Sequence, residues 1–389
     1  MIIKKVSIIP CPDYSEATVT AALDGLLAPL GGLDWVERGM KIAIKANLVS
    51  FLAPDRAATT HPALITALTR RLTDLGAEVI LGDSPGGLYN SAYVGRVYSA
   101  TGMKAVEEVG GKLNRNFDVS EASFPEGIAC RNFSYTAYFD EVDAIINVCK
   151  LKSHGMMSLS CGVKNMFGAI PGTMKPEYHY RFPDHRVFAD MLIDINEYFG
   201  DKIKLCICDA VVGMEGNGPT AGDPRHIGAL LASESPYCLD LAAAKIIGLG
   251  VDNVPTLEAA YRRGLAPASA EEVDISGDLE SFIVPDYKKI LKHNSIEFKN
   301  QLGGSAGKLF GGLVGKLLAS KPKLKVDECV GCGVCANICP VKAMTIKNGR
   351  VYIDRKTCIR CFCCQEFCPK GAMKVGRTAV SKLLVKGKK

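Results

Sequence analysis

Apolar positions over the first 240 residues recur in short β-branched runs. Each run closes in a polar, glycine-bearing stretch, and a helical period follows. After the opening MIIKKVSIIP, the first clear run is Lys41–Ser50 (KIAIKANLVS). Leu64, Leu68, Leu72 and Leu75 then fall on one face of a helix predicted over Ala63–Leu75, with Thr60-His61-Pro62 as its start signal. Further strands are predicted at Glu78–Leu81, Ala144–Val148, Ile203–Ile207 and Ile227–Ala232. Strands that are apolar throughout and separated by helices predict an α/β fold. Its sheet is mostly parallel, Rossmann-like and covered by helices on both faces. Beyond residue 250 the pattern weakens to a helix over Leu257–Arg263 and a mixed stretch Ile275–Val284. Leu309, Leu313 and Leu317, with Phe310 and Val314, predict a short basic amphipathic helix over Ser305–Ser320, expected to pack on the main domain rather than on a membrane.

In a parallel sheet, ligands bind outside the carboxyl ends of the strands. The predicted strands deliver Lys45, Asn47, Asp83, Ser84, Lys150, Lys152, His154, Asp209, Glu215 and Asn217 to that edge. The densest stretch, Asn147–Gly172, reads NVCKLKSHGMMSLSCGVKNMFGAIPG and predicts a loop that approaches a ligand closely through its glycines. Lys45, Lys152 and Lys164 are the expected anion ligands. Asn47 and Asn165 orient the anion, and His154 with Lys152 forms the catalytic pair, His154 as the acid/base. The spacing is not that of a nucleotide P-loop. Gly82–Gly87 fits either an anion-binding turn through Asp83 or Ser84 or a plain structural turn. Gly213–Asp223 predicts a long loop carrying Glu215 and Asn217. His179 and His185 lack a carboxylate at metal-ligand spacing, which disfavours a metal there.

The sixteen cysteines change this picture. Half of them form two copies of C-x2-C-x2-C-x3-C-P: Cys329, Cys332, Cys335, Cys339 and Pro340, then Cys358, Cys361, Cys364, Cys368 and Pro369. This is the two-cluster bacterial ferredoxin spacing, in which the fourth cysteine of each run ligates the other cluster. It predicts a small α+β ferredoxin-like domain with two [4Fe–4S] clusters. Cys329, Cys332, Cys335 and Cys368 hold one, and Cys358, Cys361, Cys364 and Cys339 hold the other. Zinc shows no preference for the C-P ending, and a disulfide framework requires an oxidising compartment. Cys363 is expected to pack beside the second cluster without ligating it, and the remaining cysteines to be buried free thiols.

Charge is divided unevenly. Residues 304–389 carry 18 Lys and Arg against 4 Asp and Glu, net +14, whereas residues 1–303 are net −8. The basic segment suits an acidic redox partner protein or the acidic main domain. Nothing interleaves aromatics with this charge, so nucleic acid is not an expected partner. The chain shows no signal-peptide pattern and no apolar run long enough for a transmembrane span, and peripheral membrane contact is not expected, so the expected location is cytoplasmic.

The ordered motifs IKANLV, THP, GDSPGG, KLKSHG, GVKNMFGAIPG, DAVVGMEGNGPTAGDP and CIRCFCCQEFCP resemble domain-of-unknown-function 362 proteins with a C-terminal two-cluster ferredoxin domain. The resemblance spans nearly the whole chain and implies an iron–sulfur protein of anaerobe type, without an established reaction. The main domain also resembles, more distantly and at the level of fold, the nickel-pincer lactate racemases, whose chemistry is not carried over. The expected organisation is a main domain over 1–303, an amphipathic helix and linker over 304–325, the ferredoxin domain over 326–376 and a basic tail over 377–389. The expected function is electron relay between two clusters and an α/β domain that binds a small anionic substrate or cofactor, in a redox enzyme. The alternatives are a non-catalytic electron carrier or maturation factor whose main domain binds a protein, and a hydrolase or transferase with structural clusters.

Overall fold

The computed structural model describes residues 4–290 and 321–376, and the helix expected over Ser305–Ser320 and the basic tail lie outside them. The chain divides into two compact units at Ile290/Leu291. In the first, the elements run β1 (Val6–Pro10), α1 (Glu16–Leu27), β2 (Lys41–Lys45), α2 (Pro62–Asp74), β3 (Glu78–Gly82), α3 (Ser91–Ala100), β4 (Lys112–Leu113), β5 (Val119–Ser123), β6 (Asn132–Thr136), β7 (Ala144–His154), β8 (Ser158–Ser160), α4 (Gly162–Asn165), α5 (Lys175–Arg181), α6 (His185–Tyr198), β9 (Ile203–Glu215), β10 (Asp223–Ser233), α7 (Pro236–Ile246), α8 (Pro255–Arg262) and β11 (Ile275–Ser276). The second holds β12 (Lys321–Leu324), α9 (Val334–Asn337), β13 (Met344–Lys347), β14 (Arg350–Ile353), α10 (Cys363–Glu366) and β15 (Met373–Gly376).

The main sheet has the order β11-β1-β10-β9-β7-β2-β3-β4, with β8 pairing on β7. Strands β9, β7, β2, β3 and β4 are mutually parallel. β10 runs antiparallel to both β9 and β1. The fold is thus α/β with a mostly parallel sheet. The expectation that Ile227–Ala232 shares the common carboxyl edge is corrected, because the direct hairpin from β9 reverses the chain.

Two strands are far longer than their apolar runs. β7 continues through Lys150, Lys152 and His154, and every one of its eleven residues is buried. The expected loop at Asn147–Gly172 is therefore a strand, a short hairpin into β8 and the turn of α4. β9 continues to Glu215, which shortens the expected Gly213–Asp223 loop to a turn over residues 216–222. Residues alternate faces along both strands. On one face Ile44, Ile146, Val148 and Ile207 pack with Leu23, Leu26, Leu64, Leu68 and Leu72 from α1 and α2. The opposite face meets α4 and α7.

Two two-stranded antiparallel sheets build the second unit, β12 with β15 and the hairpin β13 with β14. Its buried core is small and mixes cysteines with aliphatics: Cys335, Cys339, Cys364, Ala343, Met344, Val351 and Met373.

Candidate functional site

The carboxyl ends of β2 and β3 and the middle of β7 meet in register, with Lys45 opposite both Gly82 and Asn147. This places a dense polar cluster in the sheet interior. Lys45, fully buried, lies 2.8 Å from Asp83 Oδ1 and donates to the Ala46 carbonyl and to Asn165 Oδ1. Burial pushes the Lys45 ammonium below its usual value, and the Asp83 carboxylate opposes that shift. Asp83 Oδ2 accepts from the Leu48 amide at 2.8 Å. Asn165 donates to Asn147 Oδ1 and to the Lys45 carbonyl. Asn47 donates to Asn165 and accepts from Lys152 Nζ at 2.6 Å, while Lys152 also donates to the Ala58 carbonyl. Gly168 closes over the ion pair: a Cβ there would collide with Asp83 Oδ1 and lie 2.5 Å from Lys45 Nζ.

Of the residues expected at this edge, Lys45, Asn47, Asp83, Lys152 and Asn165 therefore converge. Lys45 and Asp83 meet as each other's partners, so neither charge is presented alone. Ser84 adjoins them, its carbonyl accepting from Lys175 at 2.5 Å and its buried hydroxyl lacking a hydrogen-bond partner among the described residues. His154 ends β7, and its Nδ1 accepts the Met156 and Met157 amides at 3.1 Å, which fixes the neutral Nε2–H tautomer and gives the ring a turn-capping role. Lys164 lies instead over aromatic rings, 4.5 Å from the Phe167 centroid and 5.9 Å from that of Phe188. Glu215 faces Lys288, whose ammonium and amide it holds at 3.0 Å, and Asn217 sits in the β9–β10 turn. His179 stacks on Phe188 at 4.5 Å.

Two further constellations were not assembled from the sequence. Lys150 pairs with Asp209 at 2.9 Å, and Tyr14 bridges them, accepting from the lysine and donating to the carboxylate. Tyr14 also stacks on His61, with ring centroids 3.6 Å apart. On the other face of β7, the sulfurs of Cys149, Cys161 and Cys208 lie within 4.8 Å of one another. The alternation Cys206-x-Cys208 was the one visible signal. Its partners, from a neighbouring strand and a helix start, emerge only once the strand register is known.

In the second unit, Cys329, Cys332, Cys335 and Cys368 line one cavity, with Leu324, Val351 and Met373. Cys339, Cys358, Cys361 and Cys364 line another, with Pro322, Val341 and Met344. Cys363 also borders the second cavity and is fully buried. The two motif copies share one backbone. The second residue after the first cysteine has positive φ in each, +65° at Gly331 and +62° at Arg360, and so has the fourth, +77° at Gly333 and +62° at Phe362. The residue three beyond the last cysteine repeats this, +51° at Lys342 and +61° at Gly371. The next amide then donates back to that cysteine: Ala343 N to Cys339 Sγ and Ala372 N to Cys368 Sγ, both at 3.2 Å. Arg360, Phe362 and Lys342 carry this geometry without glycine, at a strain cost that a constrained site sustains. Four soft thiols per cavity, with amides turned toward the sulfurs, fit an iron–sulfur cluster.

Comparisons with known proteins agree with this division. Residues 42–245 match the family described as "Domain of unknown function (DUF362)", and residues 321–369 match a 4Fe-4S dicluster domain. The thylakoid-associated protein sll1697 of Synechocystis sp. is 32% identical over 277 residues, covering 69% of this chain and 82% of that protein. The lactate racemase apoprotein from Thermoanaerobacterium thermosaccharolyticum aligns at 13% identity with a TM-score of 0.39, over 64% of this chain and 57% of that one, a likeness too slight to bear on activity. Among the described residues, no helix is long and apolar enough to cross a membrane. The chain belongs to the DUF362 family and carries a 4Fe-4S dicluster domain after its α/β unit.

Proposed function

We propose that this iron–sulfur protein transfers electrons to or from a small anionic substrate or cofactor bound by its α/β unit. Cys329, Cys332, Cys335 and Cys368 hold one [4Fe–4S] cluster, and Cys339, Cys358, Cys361 and Cys364 hold the second. The observation that carries this reading is the doubled cysteine cavity with its repeated backbone. Clusters held this way supply one-electron couples whose potential depends on cluster type, charge, solvent exposure and hydrogen bonds to sulfur. The residues of the chain set two of those variables. The Ala343 and Ala372 amides donate to sulfur, and the apolar walls of each cavity limit water.

In the α/β unit the ligand region is the carboxyl edge at Lys45, Asn47, Asp83, Ser84, Lys152 and Asn165. Burying so many charged and amide groups is costly unless they are paired or used, and they gather where parallel sheets bind ligands. Lys152 and His154 are the proposed catalytic pair, with Lys164, Glu215 and Asn217 at the periphery. The setting is the cytoplasm, with an acidic redox partner for the basic C-terminal segment. The name of the Synechocystis relative adds the thylakoid surface as the other location that cell fractionation must separate.

The test is anaerobic purification with about eight iron atoms per chain expected, followed by chemical reduction and a screen of small carboxylates and phosphates for cluster reoxidation. Lys152→Ala and His154→Ala should abolish ligand-dependent turnover while the cluster spectrum survives. Retention of full electron transfer to a native protein partner in both variants would replace this reading with that of a carrier or maturation factor.

A further inference from the structure

We infer that Cys149, Cys161 and Cys208 form a site in the α/β unit for one thiophilic d10 metal ion, of the Cu(I) or Zn(II) class. The Cys149–Cys161 and Cys161–Cys208 sulfur separations are both 3.4 Å, and all three sulfurs lie within 4.8 Å of one another. A single ion at a metal–sulfur distance of about 2.3 Å holds thiolates about 3.8–4.0 Å apart, from tetrahedral to trigonal geometry. The three sulfurs need move only slightly to reach that spacing. They are too close to surround the many-atom body of an iron–sulfur cube. The site is thus of a different kind from the cysteines of the second unit.

The ligands come from rigid places. Cys149 and Cys208 are register partners on the adjacent central strands β7 and β9. Cys161 stands immediately before α4, where the Asp240 carboxylate of α7 accepts the Gly162 amide at 2.6 Å and the Val163 amide at 3.2 Å. Asp240 acts as a positioning residue, fixing the backbone that carries Cys161. All three thiols are at most 1% exposed. Buried cysteines ordinarily serve as small hydrophobes against carbon; here sulfur meets sulfur from three separate elements. Soft thiolates select thiophilic ions, and binding displaces their protons. Burial this complete means that the ion enters as the chain folds and exchanges slowly afterwards.

The experiment uses the full chain, purified anaerobically with its iron loaded, and measures zinc and copper by mass spectrometry. Refolding with Zn(II) alone and with Cu(I) alone forms the two arms. About one tightly held zinc or copper per chain is expected, resistant to chelator in the native state. The Cys161→Ser/Cys208→Ser variant should lose at least nine-tenths of it while iron content stays unchanged. Should that variant fail to fold, X-ray absorption at the zinc or copper edge of the wild-type chain decides instead, with a shell dominated by three sulfurs expected. Absence of a stoichiometric ion in both arms overturns the site, as does its retention in the folded variant or a shell of nitrogen and oxygen.

Discussion

The two units solve the same problem, how to hold polar chemistry in a protein interior, in opposite ways. The α/β unit wraps its charges in a large hydrocarbon core. Lys45 with Asp83 and Lys150 with Asp209 are nearly water-free, yet each sits beside strands packed on both faces. The second unit has no such surplus. Three of the seven residues in its core cluster are cysteines, and its described secondary structure is two two-stranded antiparallel sheets, two single-turn α-helices and one 3-10 turn. Domains this small generally need a staple, and metal-binding free energy then becomes folding free energy. Chemistry is thus embedded in a fold that stands without it in one unit, and is itself the fold in the other.

The largest expected effect breaks that comparison at its weaker side. Iron removal by chelation, or Cys335→Ser together with Cys364→Ser, should unfold residues 321–376 while leaving the α/β unit folded. Limited proteolysis and circular dichroism would then show cleavage confined to the second unit. Loss of the α/β transition as well would mean that the units stand or fall together. Next comes the buried pair. Asp83→Ala strands the Lys45 charge and should cost about 3–5 kcal/mol in denaturant unfolding. The Lys45→Met/Asp83→Leu double variant, which removes both charges, should recover most of that loss. Gly168→Ala pushes a methyl group into the same pair and should cost about 1–3 kcal/mol, read as a lower melting temperature.

A smaller effect concerns His61, which burial holds down at about 4. Its folded value lies below that of the unfolded chain, so the neutral ring contributes stability in full above roughly pH 6.5, and this is lost as pH falls toward about 4. After discounting for its partial exposure, the contribution is roughly 1–2 kcal/mol. Denaturant midpoints at neutral and acid pH should show this slope, and His61→Asn should flatten it. The smallest effect is a gain: Lys342→Gly relieves a positive φ of +51° and should stabilise the second unit by about 0.5–1 kcal/mol. No change in its melting point would mean that the backbone there is unstrained.

How much of this the sequence disclosed follows from how local each signal is. The helix expected over Ala63–Leu75 and the strand over Glu78–Leu81 fall within a residue of α2 and β3, because leucine spacing and β-branching report directly on the backbone. β7 was legible only to Val148. Lys150 and Lys152 look like a solvated loop until Asp209 and Asn47, 59 and 105 residues away in sequence, are seen to satisfy them. Lys45, Asn47, Asp83 and Lys152 were foreseen as neighbours because each was expected to end or follow a parallel strand, and Asn165 because it lies in the glycine-bearing stretch that follows. That Lys45 and Asp83 would neutralise each other was not, since pairing depends on side-chain reach. The placement of Lys164 over the Phe167 ring was not legible, because that ring lies one helical turn onward and reads as core. The thiol triad depends wholly on register, which a single sequence does not report.

β7 bears amide and thiol groups on one face and ammonium groups on the other, all dry. A slip of one residue would send Lys150 and Lys152 among the cysteines and turn Cys149 toward the α1–α2 side. Length changes within residues 144–154 should therefore be lethal to the fold, whereas the turn over residues 216–222 has no such two-sided code. When this chain diverges, it should gain and lose residues at that hairpin tip and keep the length of its central strand.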